Sequence, residues 1–473
     1  MIKKVGLLFG IIIFCVIIFS PHPESLTEAG WFTIASASLM AVFWITEAIP
    51  ISITALLPLV LFPILGIADI KSASQPYANP VVFLFLGGFL LAQAVQKWNL
   101  HKRIALTIVR WIGFNPRNII FGFMLASSFL SMWISNTATA LMMLPIALSV
   151  IHFIGEKSND DSPEFKNFSI ALLLAIAYSC SIGGISTLIG TPPNAFMAAF
   201  MNEHHGIEIG FAEWMMIGIP FYVIALPIAY FLLTRIVFPI SNKLSGSKSV
   251  IQEEIKKLGK ITTEEKRVLL IFSLVALFWI IRPLAADFIP GIDDTVIAML
   301  GAVLLYFIPA NKNGKLLEWD DLDKISWSIL ILFGGGLTLA SAIQENGVSA
   351  WIGNIILQDS EMPKILMIFL LTGSIIFLTE LTSNLATTAA FIPIIYSVAI
   401  GLNIHPLEFI IPATIAASCA FMLPVATPPN AIIFSSQMIS IQQMSRAGLV
   451  FNVVFLFVTV MLTSFLGGIV FGF

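Results

Sequence analysis

Charged side chains are scarce in this sequence: Asp, Glu, Lys and Arg make up only 11% of its 473 residues, against roughly 25% in a soluble domain. Hydrophobic residues make up 58%, which is more than one or two soluble cores can bury. The composition therefore excludes a soluble enzyme and indicates that lipid is the solvent. A net charge of −3, without a long basic block, also argues against a nucleic-acid partner.

Cysteine is rare as well, and each cysteine lies inside an apolar run, which argues against a disulfide framework and a Cys/His metal site. The three are Cys15, Cys180 and Cys419. In contrast, 39 Phe, 31 Gly and 25 Pro are typical of membrane helices with deliberate breaks. The first apolar run, from Lys4 to Phe19, has no small-x-small cleavage site behind it. We interpret it as a retained span, with a secretory signal as the alternative.

Eleven apolar segments approach the roughly 20 residues that a helix needs to cross a bilayer core about 30 Å thick. They are 5–20, 27–47, 49–66, 80–96, 168–200, 214–238, 268–282, 295–309, 326–343, 405–435 and 448–473. Two further stretches, 117–153 and 363–400, are interrupted by the polar clusters Ser135-Asn136-Thr137 and Thr382-Ser383-Asn384. We predict that these stretches are re-entrant hairpins. The expected fold is an all-α polytopic membrane protein with about 11 transmembrane helices plus two re-entrant helical hairpins.

The positive-inside rule supports this topology. With the N-terminus inside and both hairpins re-entrant, 21 of the 24 Lys and Arg residues lie in predicted inner segments. The outer side keeps only Lys71, Arg282 and Lys364. Counting either hairpin as one crossing would invert everything after it. The sequence therefore predicts an N-terminus inside and a C-terminus outside the cytoplasmic membrane.

The chain also repeats its landmarks in order. Four pairs share an offset of 248 residues: Gly88 and Gly336, Ser135 and Ser383, Asn136 and Asn384, Pro145 and Pro393. Further on, Thr191-Pro192-Pro193-Asn194 recurs as Thr427-Pro428-Pro429-Asn430. The first hairpin begins from the inside and the second from the outside, so the repeats are inverted. Inverted repeats with broken helices are typical of secondary transporters, whose site lies at mid-membrane.

The polar clusters have the chemistry of an ion and anion site. Ser or Asn at the start of a helix is a good N-cap, and the free N–H groups of such a helix favour an anion such as a carboxylate. Hydroxyl and amide oxygens are hard ligands that suit sodium; the candidates are Ser131, Ser135, Asn136, Thr379 and Asn384. Proline cannot continue the helical hydrogen bonds, which frees the carbonyls of Gly190 and Ala426. We expect one cation site in each half, with the anion between them.

No Lys or Arg lies near either cluster in the sequence, so nothing permanently cationic balances a buried anion. A dianion would then need two or more sodium ions to enter with it. Glu47 and Glu380 are the most interior acids, and either is a candidate for proton coupling. A salt bridge or a helix-end position is the favoured interpretation for both.

Structural explanations compete with each of these assignments. Ser, Thr and Asn often serve only as glue between membrane helices, and proline often only kinks them. Recurrence of both elements in both halves favours a site instead. Four histidines are interpreted as polar residues of an outer loop or of span ends rather than metal ligands: His204 and His205 beside Glu203 and Glu208, and His152 and His405.

Two charged segments look like connectors. Residues 97–117 mix five basic residues with apolar ones, which predicts an amphipathic helix along the inner surface. The alternative is a helix end anchored by snorkelling lysines. Residues 241–267 mix seven Lys or Arg with four Glu, which predicts a solvated linker between the halves.

At these residues the chain resembles the divalent anion:sodium symporter family, the INDY-type sodium-dependent dicarboxylate transporters. The motifs are Trp44-Ile-Thr-Glu-Ala-Ile-Pro50, Ser135-Asn136-Thr137, Gly190-Thr-Pro-Pro-Asn194, Thr379-Glu-Leu-Thr-Ser383-Asn384 and Ala426-Thr-Pro-Pro-Asn430. The resemblance implies a homodimer whose protomers have a scaffold domain and a transport domain that slides as an elevator. The implied division is scaffold over 1–116 and 268–362, linker over 241–267, and transport domain over 117–240 and 363–473.

The resemblance also implies roles for individual residues. One sodium ion would bind Ser131, Ser135, Asn136 and Gly190. The other would bind Thr379, Thr382, Ser383, Asn384 and Ala426. A C4-dicarboxylate such as succinate, fumarate or malate would contact Asn136, Thr137, Thr191, Ser383, Asn384, Thr427 and Pro428. The second cluster departs from the family's Ser-Asn-Thr pattern because Leu385 replaces Thr, which removes a hydrogen bond worth about 1.5–3 kcal/mol to a charged acceptor.

The sequence therefore predicts sodium-driven import of a dicarboxylate, with sodium as the coupling ion and no other cofactor. An exchanger of the same fold without net sodium coupling is the nearest alternative. An intramembrane enzyme is disfavoured because the sequence has no Gly-x-Ser-x-Gly or His-Glu-x-x-His motif and no paired intramembrane acids. A channel is disfavoured because two half-sites that face opposite sides suit alternating access.

Overall fold

A computed structural model describes residues 2–158, 162–240, 248–285, 288–289, 291–311, 314–356 and 362–472. Helices dominate these residues, and one isolated β-bridge joins Pro309 and Lys315. The helices are α1 (Ile2–Phe19), α2 (Glu28–Thr46), α3 (Ile51–Thr54), α4 (Leu57–Ile64), α5 (Ile70–Ser74), α6 (Pro80–Lys97), α7 (Leu100–Ile112), α8 (Pro116–Ser131), α9 (Asn136–Ser158), α10 (Pro163–Ile185), α11 (Pro192–His205), α12 (Phe211–Phe231), α13 (Lys248–Leu258), α14 (Thr263–Ala285), α15 (Asp294–Phe307), α16 (Trp327–Glu345), α17 (Val348–Ile356), α18 (Lys364–Thr379), α19 (Asn384–Gly401), α20 (Leu407–Ala417), α21 (Pro428–Phe434) and α22 (Ile441–Phe471).

Within the described residues, nine helical segments are long and apolar enough to cross a membrane, and four shorter helices are also apolar. This confirms an all-α polytopic membrane protein, while the exact number of crossings and the orientation of the termini stay predictions. Residues 49–66 form two short helices, α3 and α4, rather than one crossing helix. Pro58 in the first turn of α4 explains the break, because proline lacks an N–H and clashes with the carbonyl four residues earlier.

Helix α10 forms the centre of the molecule. All side chains from Phe168 to Ile185 are buried, as expected for a helix that is apolar on every face. Gly183 lets α10 approach α8 closely, because a Cβ atom there would lie 2.1 Å from the carbonyl oxygen of Ser128. The hairpin α8–α9, helix α12 and helix α21 pack around α10.

The two predicted hairpins and the two predicted breaks are present. Helices α8 and α9 are separated by residues 132–135, and α18 and α19 by residues 380–383. The broken spans are interrupted over residues 186–191 and 418–427. In both halves the first helix of the hairpin packs against the helix before the break. The halves meet where α21 contacts α9 and α10, and where α11 contacts α19 and α20.

The connectors are more ordered than predicted. Helix α7 is amphipathic and packs on α8, but Arg103 does not lie free at a surface: its guanidinium pairs with Glu265 at 2.8 Å. The linker includes helix α13, whose Ile251 is fully buried and which packs on α7. The other faces of α13 are exposed at Gln252, Glu253, Lys256 and Lys257. The solvated linker therefore stays a prediction, and residues 241–247 lie outside the described residues.

Candidate functional site

The first hairpin tip is organised by its own polar side chains. The Ser135 hydroxyl accepts a hydrogen bond from the Ala138 N–H at 3.3 Å, which confirms the predicted cap at the start of α9. The Ser131 hydroxyl donates to Oδ1 of Asn136. Ser131 is fully buried, so it lies behind the tip and orients the Asn136 amide.

The second tip repeats this arrangement. The Thr379 hydroxyl lies 3.0 Å from Oδ1 of Asn384 and 2.9 Å from the carbonyl oxygen of Ala417. Thr379 is fully buried, as Ser131 is in the first half. Ser383 is the N-cap residue of α19, with an extended backbone and no side-chain cap. The Thr382 hydroxyl donates to the Leu378 carbonyl at 3.1 Å.

The two breaks are tied down by the asparagine that ends each Thr-Pro-Pro-Asn motif. The Asn194 amide nitrogen lies 2.8–3.2 Å from the carbonyl oxygens of Gly184, Ile185 and Thr187. The Asn430 amide nitrogen lies 3.0–3.2 Å from two carbonyl oxygens, those of Ala420 and Leu423. Sequence reasoning quoted both asparagines in its motifs but gave them no role. Their recurrence in both halves was the signal that could have found it.

The carbonyls freed by proline are placed as predicted. In the part of the chain that the structure describes, no hydrogen bond is made to the carbonyl oxygen of Gly190 or of Ala426. The first of these lies close to the tip: a Cβ atom built on Gly184 would be 2.8 Å from Oδ1 of Asn136 and 3.1 Å from the Gly190 carbonyl oxygen. A carbonyl, an amide oxygen and the Ser131 hydroxyl therefore converge in the first half.

Both tips and both breaks line one cavity of about 640 Å³. The predicted residues on its wall are Ser135, Asn136, Thr137, Gly190, Thr191, Thr382, Ser383, Asn384, Ala426, Thr427 and Pro428. Ser131 and Thr379 stand one layer behind and reach the wall through their bonds to Asn136 and Asn384. The structure thus brings together every residue that the sequence proposed for the site. Their roles in binding stay predictions.

Charge is confined to the exposed side of this cavity. Lys3 and Glu47 line it and form an ion pair at 3.4 Å, with their side chains 67% and 52% exposed. The expectation that no basic residue lies near the site is therefore wrong for Lys3, which comes from the far end of the sequence through packing of α1 on α2. Glu47 has both features expected of it, since it pairs with a lysine and caps the end of α2.

Glu380 has a different environment. It ends α18, as expected, but its buried carboxylate accepts hydrogen bonds rather than pairing with a cation. The donors are the N–H groups of Phe421 at 2.7 Å, Met422 at 2.9 Å and Leu423 at 3.1 Å, and the Asn452 amide at 2.8 Å. Because Phe421, Met422 and Leu423 belong to the second break, Glu380 fixes the backbone that leads to Ala426, and its bond to Asn452 ties this backbone to α22. Sequence reasoning missed this contact.

The histidines are not gathered around a metal site. His204 and His205 end helix α11 rather than lying in a loop, and the His204 ring stacks on Phe200 with centroids 4.4 Å apart. Among the described residues there is no group of three or more His, Cys, Asp or Glu side chains that could hold a metal ion.

Known proteins resemble this chain along nearly its full length. Residues 2–473 match the family model of the sodium:sulfate symporter transmembrane region. The sodium-dependent dicarboxylate transporter SdcS of Staphylococcus saprophyticus is 40% identical, with 98% of this chain and 91% of that protein covered. SdcS of Staphylococcus aureus is also 40% identical, with 99% and 92% covered.

Solved structures also share the architecture. The Alcanivorax borkumensis YdaH transporter superposes with a TM-score of 0.57 and 12% identity, covering 100% of this chain and 97% of its own. Neisseria gonorrhoeae MtrF, described among antimetabolite efflux pumps, gives 0.58 and 14%, covering 93% and 95%. At these identities the likeness concerns the fold alone.

Proposed function

The chain belongs to the sodium:sulfate symporter family of membrane transporters, and from this premise we propose that it couples sodium entry to the import of a C4-dicarboxylate such as succinate, fumarate or malate. The family consists of transporters, not enzymes. The relatives whose names state a substrate are sodium-dependent dicarboxylate transporters. The observation that carries the proposal is the single cavity onto which both hairpin tips and both proline breaks converge.

The first sodium site consists of Ser131, Ser135, Asn136 and Gly190. The Gly190 carbonyl oxygen and Oδ1 of Asn136 support it, because both lie within 3.1 Å of the point where a Cβ atom on Gly184 would stand. The Ser131–Asn136 hydrogen bond supports it as well. All of the ligand atoms in this proposed site are neutral oxygens, which suit an alkali cation.

The second sodium site consists of Thr379, Thr382, Ser383, Asn384 and Ala426. Thr379 repeats the role of Ser131 toward its asparagine, and the Ala426 carbonyl is free of hydrogen bonds within the described residues. Sodium is the coupling ion, and the protein needs no other cofactor.

The dicarboxylate lies between the two sites. Its contacts are Asn136, Thr137, Thr191, Ser383, Asn384, Thr427 and Pro428. The N-terminal ends of α9 and α19 support an anion there, because their first N–H groups carry partial positive charge. Lys3 is paired and largely exposed, so it does not neutralise a dianion inside the cavity. The sodium ions supply the missing positive charge, which makes coupling an electrostatic requirement.

Transport proceeds by an elevator movement in a homodimer embedded in the cytoplasmic membrane. The transport domain comprises 117–240 and 363–473, and the scaffold comprises 1–116 and 268–362. The composition of the cavity wall supports this division: Phe85, Phe89 and Leu332, from the scaffold helices α6 and α16, face the tips and breaks across the same space. Cavities between domains are the usual location of transported substrates.

The decisive experiment is uptake of labelled succinate into proteoliposomes with and without an inward sodium gradient. Uptake should require the gradient, and Asn136→Ala and Asn384→Ala should each abolish it while the protein remains folded. Ser149→Ala is a matched control, because Ser149 is an exposed residue of α9 that bonds only within its own helix. Uptake that ignores sodium would overturn the coupling, and sodium-independent counterflow would identify an exchanger.

A further inference from the structure

The two ends of the cavity differ in one chemically important pair. We call Ser135, Asn136, Thr137 and Thr191 the first pole, and Ser383, Asn384, Leu385 and Thr427 the second pole. The offset of 248 residues that relates Asn136 to Asn384 also relates Thr137 to Leu385. Both residues line the cavity, so a hydroxyl in one half is matched by an isobutyl group in the other.

Neighbouring side chains extend the apolar character of the second pole. Leu381 and Val425 line the cavity and are 66% and 79% exposed. The residue that corresponds to Leu381 in the first half is Trp133, which instead packs on Phe211 with ring centroids 5.9 Å apart. Val425 corresponds to Ile189, which also lines the cavity, so Leu381 and Leu385 are the aliphatic residues that distinguish the second pole from the first.

No hydroxyl of α19 replaces the one that Leu385 lacks. The Thr387 hydroxyl donates to the Ser383 carbonyl at 3.1 Å, and the Thr388 hydroxyl donates to the Asn384 carbonyl at 2.8 Å. Neither residue lines the cavity. A polar substituent on the ligand would therefore lose its water at the second pole without gaining a partner from these residues, which is unfavourable.

We propose that this cavity selects dicarboxylates that carry a small alkyl group on the carbon next to one carboxylate, and that Leu385 determines this preference. The inference rests on the proposed function, because it assumes a dicarboxylate held between the poles. The unsubstituted carboxylate end binds at the first pole beside Thr137, and the alkyl-bearing end binds beside Leu385, Leu381 and Val425. Burial of one methyl group corresponds to about a fourfold gain in affinity.

The test is inhibition of labelled succinate uptake by unlabelled succinate and by 2-methylsuccinate. In the wild type, 2-methylsuccinate should inhibit at about one quarter of the succinate concentration. In Leu385→Thr the order should reverse, because the restored hydroxyl favours the second carboxylate and the apolar contact of the isobutyl group with the ligand's methyl group is lost. Leu385→Ile is the matched control and should keep the preference of the wild type.

Equal inhibition ratios in the wild type and in Leu385→Thr would overturn the proposal, and so would a wild type that prefers succinate. If Leu385→Thr is unstable, the same ratio is measured as thermal stabilisation of purified wild type by the two ligands in sodium buffer, with the same outcomes. Failure of the wild type to take up succinate in a sodium gradient would refute the proposed function itself. The two failures are therefore distinguishable.

Discussion

Replacing Glu380 by Gln should weaken sodium coupling although Glu380 does not line the cavity. Its carboxylate holds three consecutive N–H groups of the second break: Oε1 accepts from Phe421 at 2.7 Å, Oε2 accepts from Leu423 at 3.1 Å, and the Met422 N–H lies 2.9 and 3.0 Å from the two oxygens. In one orientation of the Gln side chain that replaces Glu380, the amide NH₂ group faces the Leu423 N–H. In the flipped orientation, it faces the Phe421 N–H and the Asn452 amide. Either orientation leaves buried donors without an acceptor.

The magnitude follows from these contacts. A hydrogen bond to a charged group contributes about 1.5–3 kcal/mol, and a buried donor left unsatisfied costs about 1–3 kcal/mol. At least one such bond is lost in either orientation of the Gln amide, that of Leu423 or that of Phe421, which destabilises the ordered form of the break by about 1.5–3 kcal/mol. Three residues after Leu423 stands Ala426, which we assign to the second sodium ion. Since 1.4 kcal/mol is a factor of ten, the sodium concentration for half-maximal uptake should rise by about tenfold or more.

The assay is the sodium dependence of succinate uptake, together with sodium-dependent thermal stabilisation of the purified protein. Glu28→Gln is the control, because Glu28 is an exposed residue in the first turn of α2 and does not line the cavity. Its sodium dependence should match that of the wild type. An unchanged sodium requirement in Glu380→Gln would refute the argument. Loss of a pH response instead, with sodium affinity intact, would mean that Glu380 carries a coupling proton.

Three further predictions concern residues outside the cavity. Arg282→Gln should lower the thermal midpoint because it leaves several carboxylates around a mostly buried guanidinium without their cation, whereas Arg282→Lys should lower it less. Burial by itself would raise the pKa of Asp321. Its hydrogen bonds, of which the one from Lys97 has the largest effect, outweigh burial and hold the pKa below the ordinary 3.8. This stabilisation is present above that value and is lost as the pH falls, so Asp321→Asn should flatten the acid side of a plot of thermal midpoint against pH. Gly183→Ala should destabilise strongly because its Cβ would overlap the backbone of α8, whereas Gly88→Ala, with no neighbour closer than 3.5 Å, should be tolerated.

The hairpins and breaks could be predicted because their signals are local and occur twice. A polar cluster in the middle of an apolar run predicts a helix start, as at Ser135, and adjacent prolines predict an interruption, as at Pro192 and Pro428. Repetition in the second half distinguished these features from ordinary kinks. The candidate ion ligands, such as Asn136 and Asn384, followed from the same clusters, and their convergence on one cavity was predictable as well. The roles of the other site residues, such as Thr137 and Thr427, came only from the resemblance to a known family.

Contacts between distant parts of the chain could not be predicted in this way. Glu380 meets the second break 41 residues later and Asn452 72 residues later, and Arg103 meets Glu265 162 residues later. From composition alone, such charged residues are expected at surfaces, because the sequence does not show which distant residue would pair with them and make burial favourable. The buried position of Ile251 in α13 was not predicted for a related reason: the charges of this segment hid its apolar residues at helical spacing.

The inverted repeat preserves the geometry of the site but not its chemistry. The position that corresponds to Glu380 in the first half is Met132, and the Thr187 hydroxyl of the first break donates to the Met132 backbone carbonyl. The same place in the fold thus supplies a backbone acceptor in one half and a carboxylate in the other. The second break spans residues 418–427 and the first only 186–191, and the longer segment has more free N–H groups that need an acceptor. A buried carboxyl group therefore stands behind the proposed second sodium site, where the first half has the backbone carbonyl of Met132, and the apolar pole at Leu385 lies on the same side. Two sodium ions bound in these halves should then differ in affinity, with the second more sensitive to changes around Glu380 than the first.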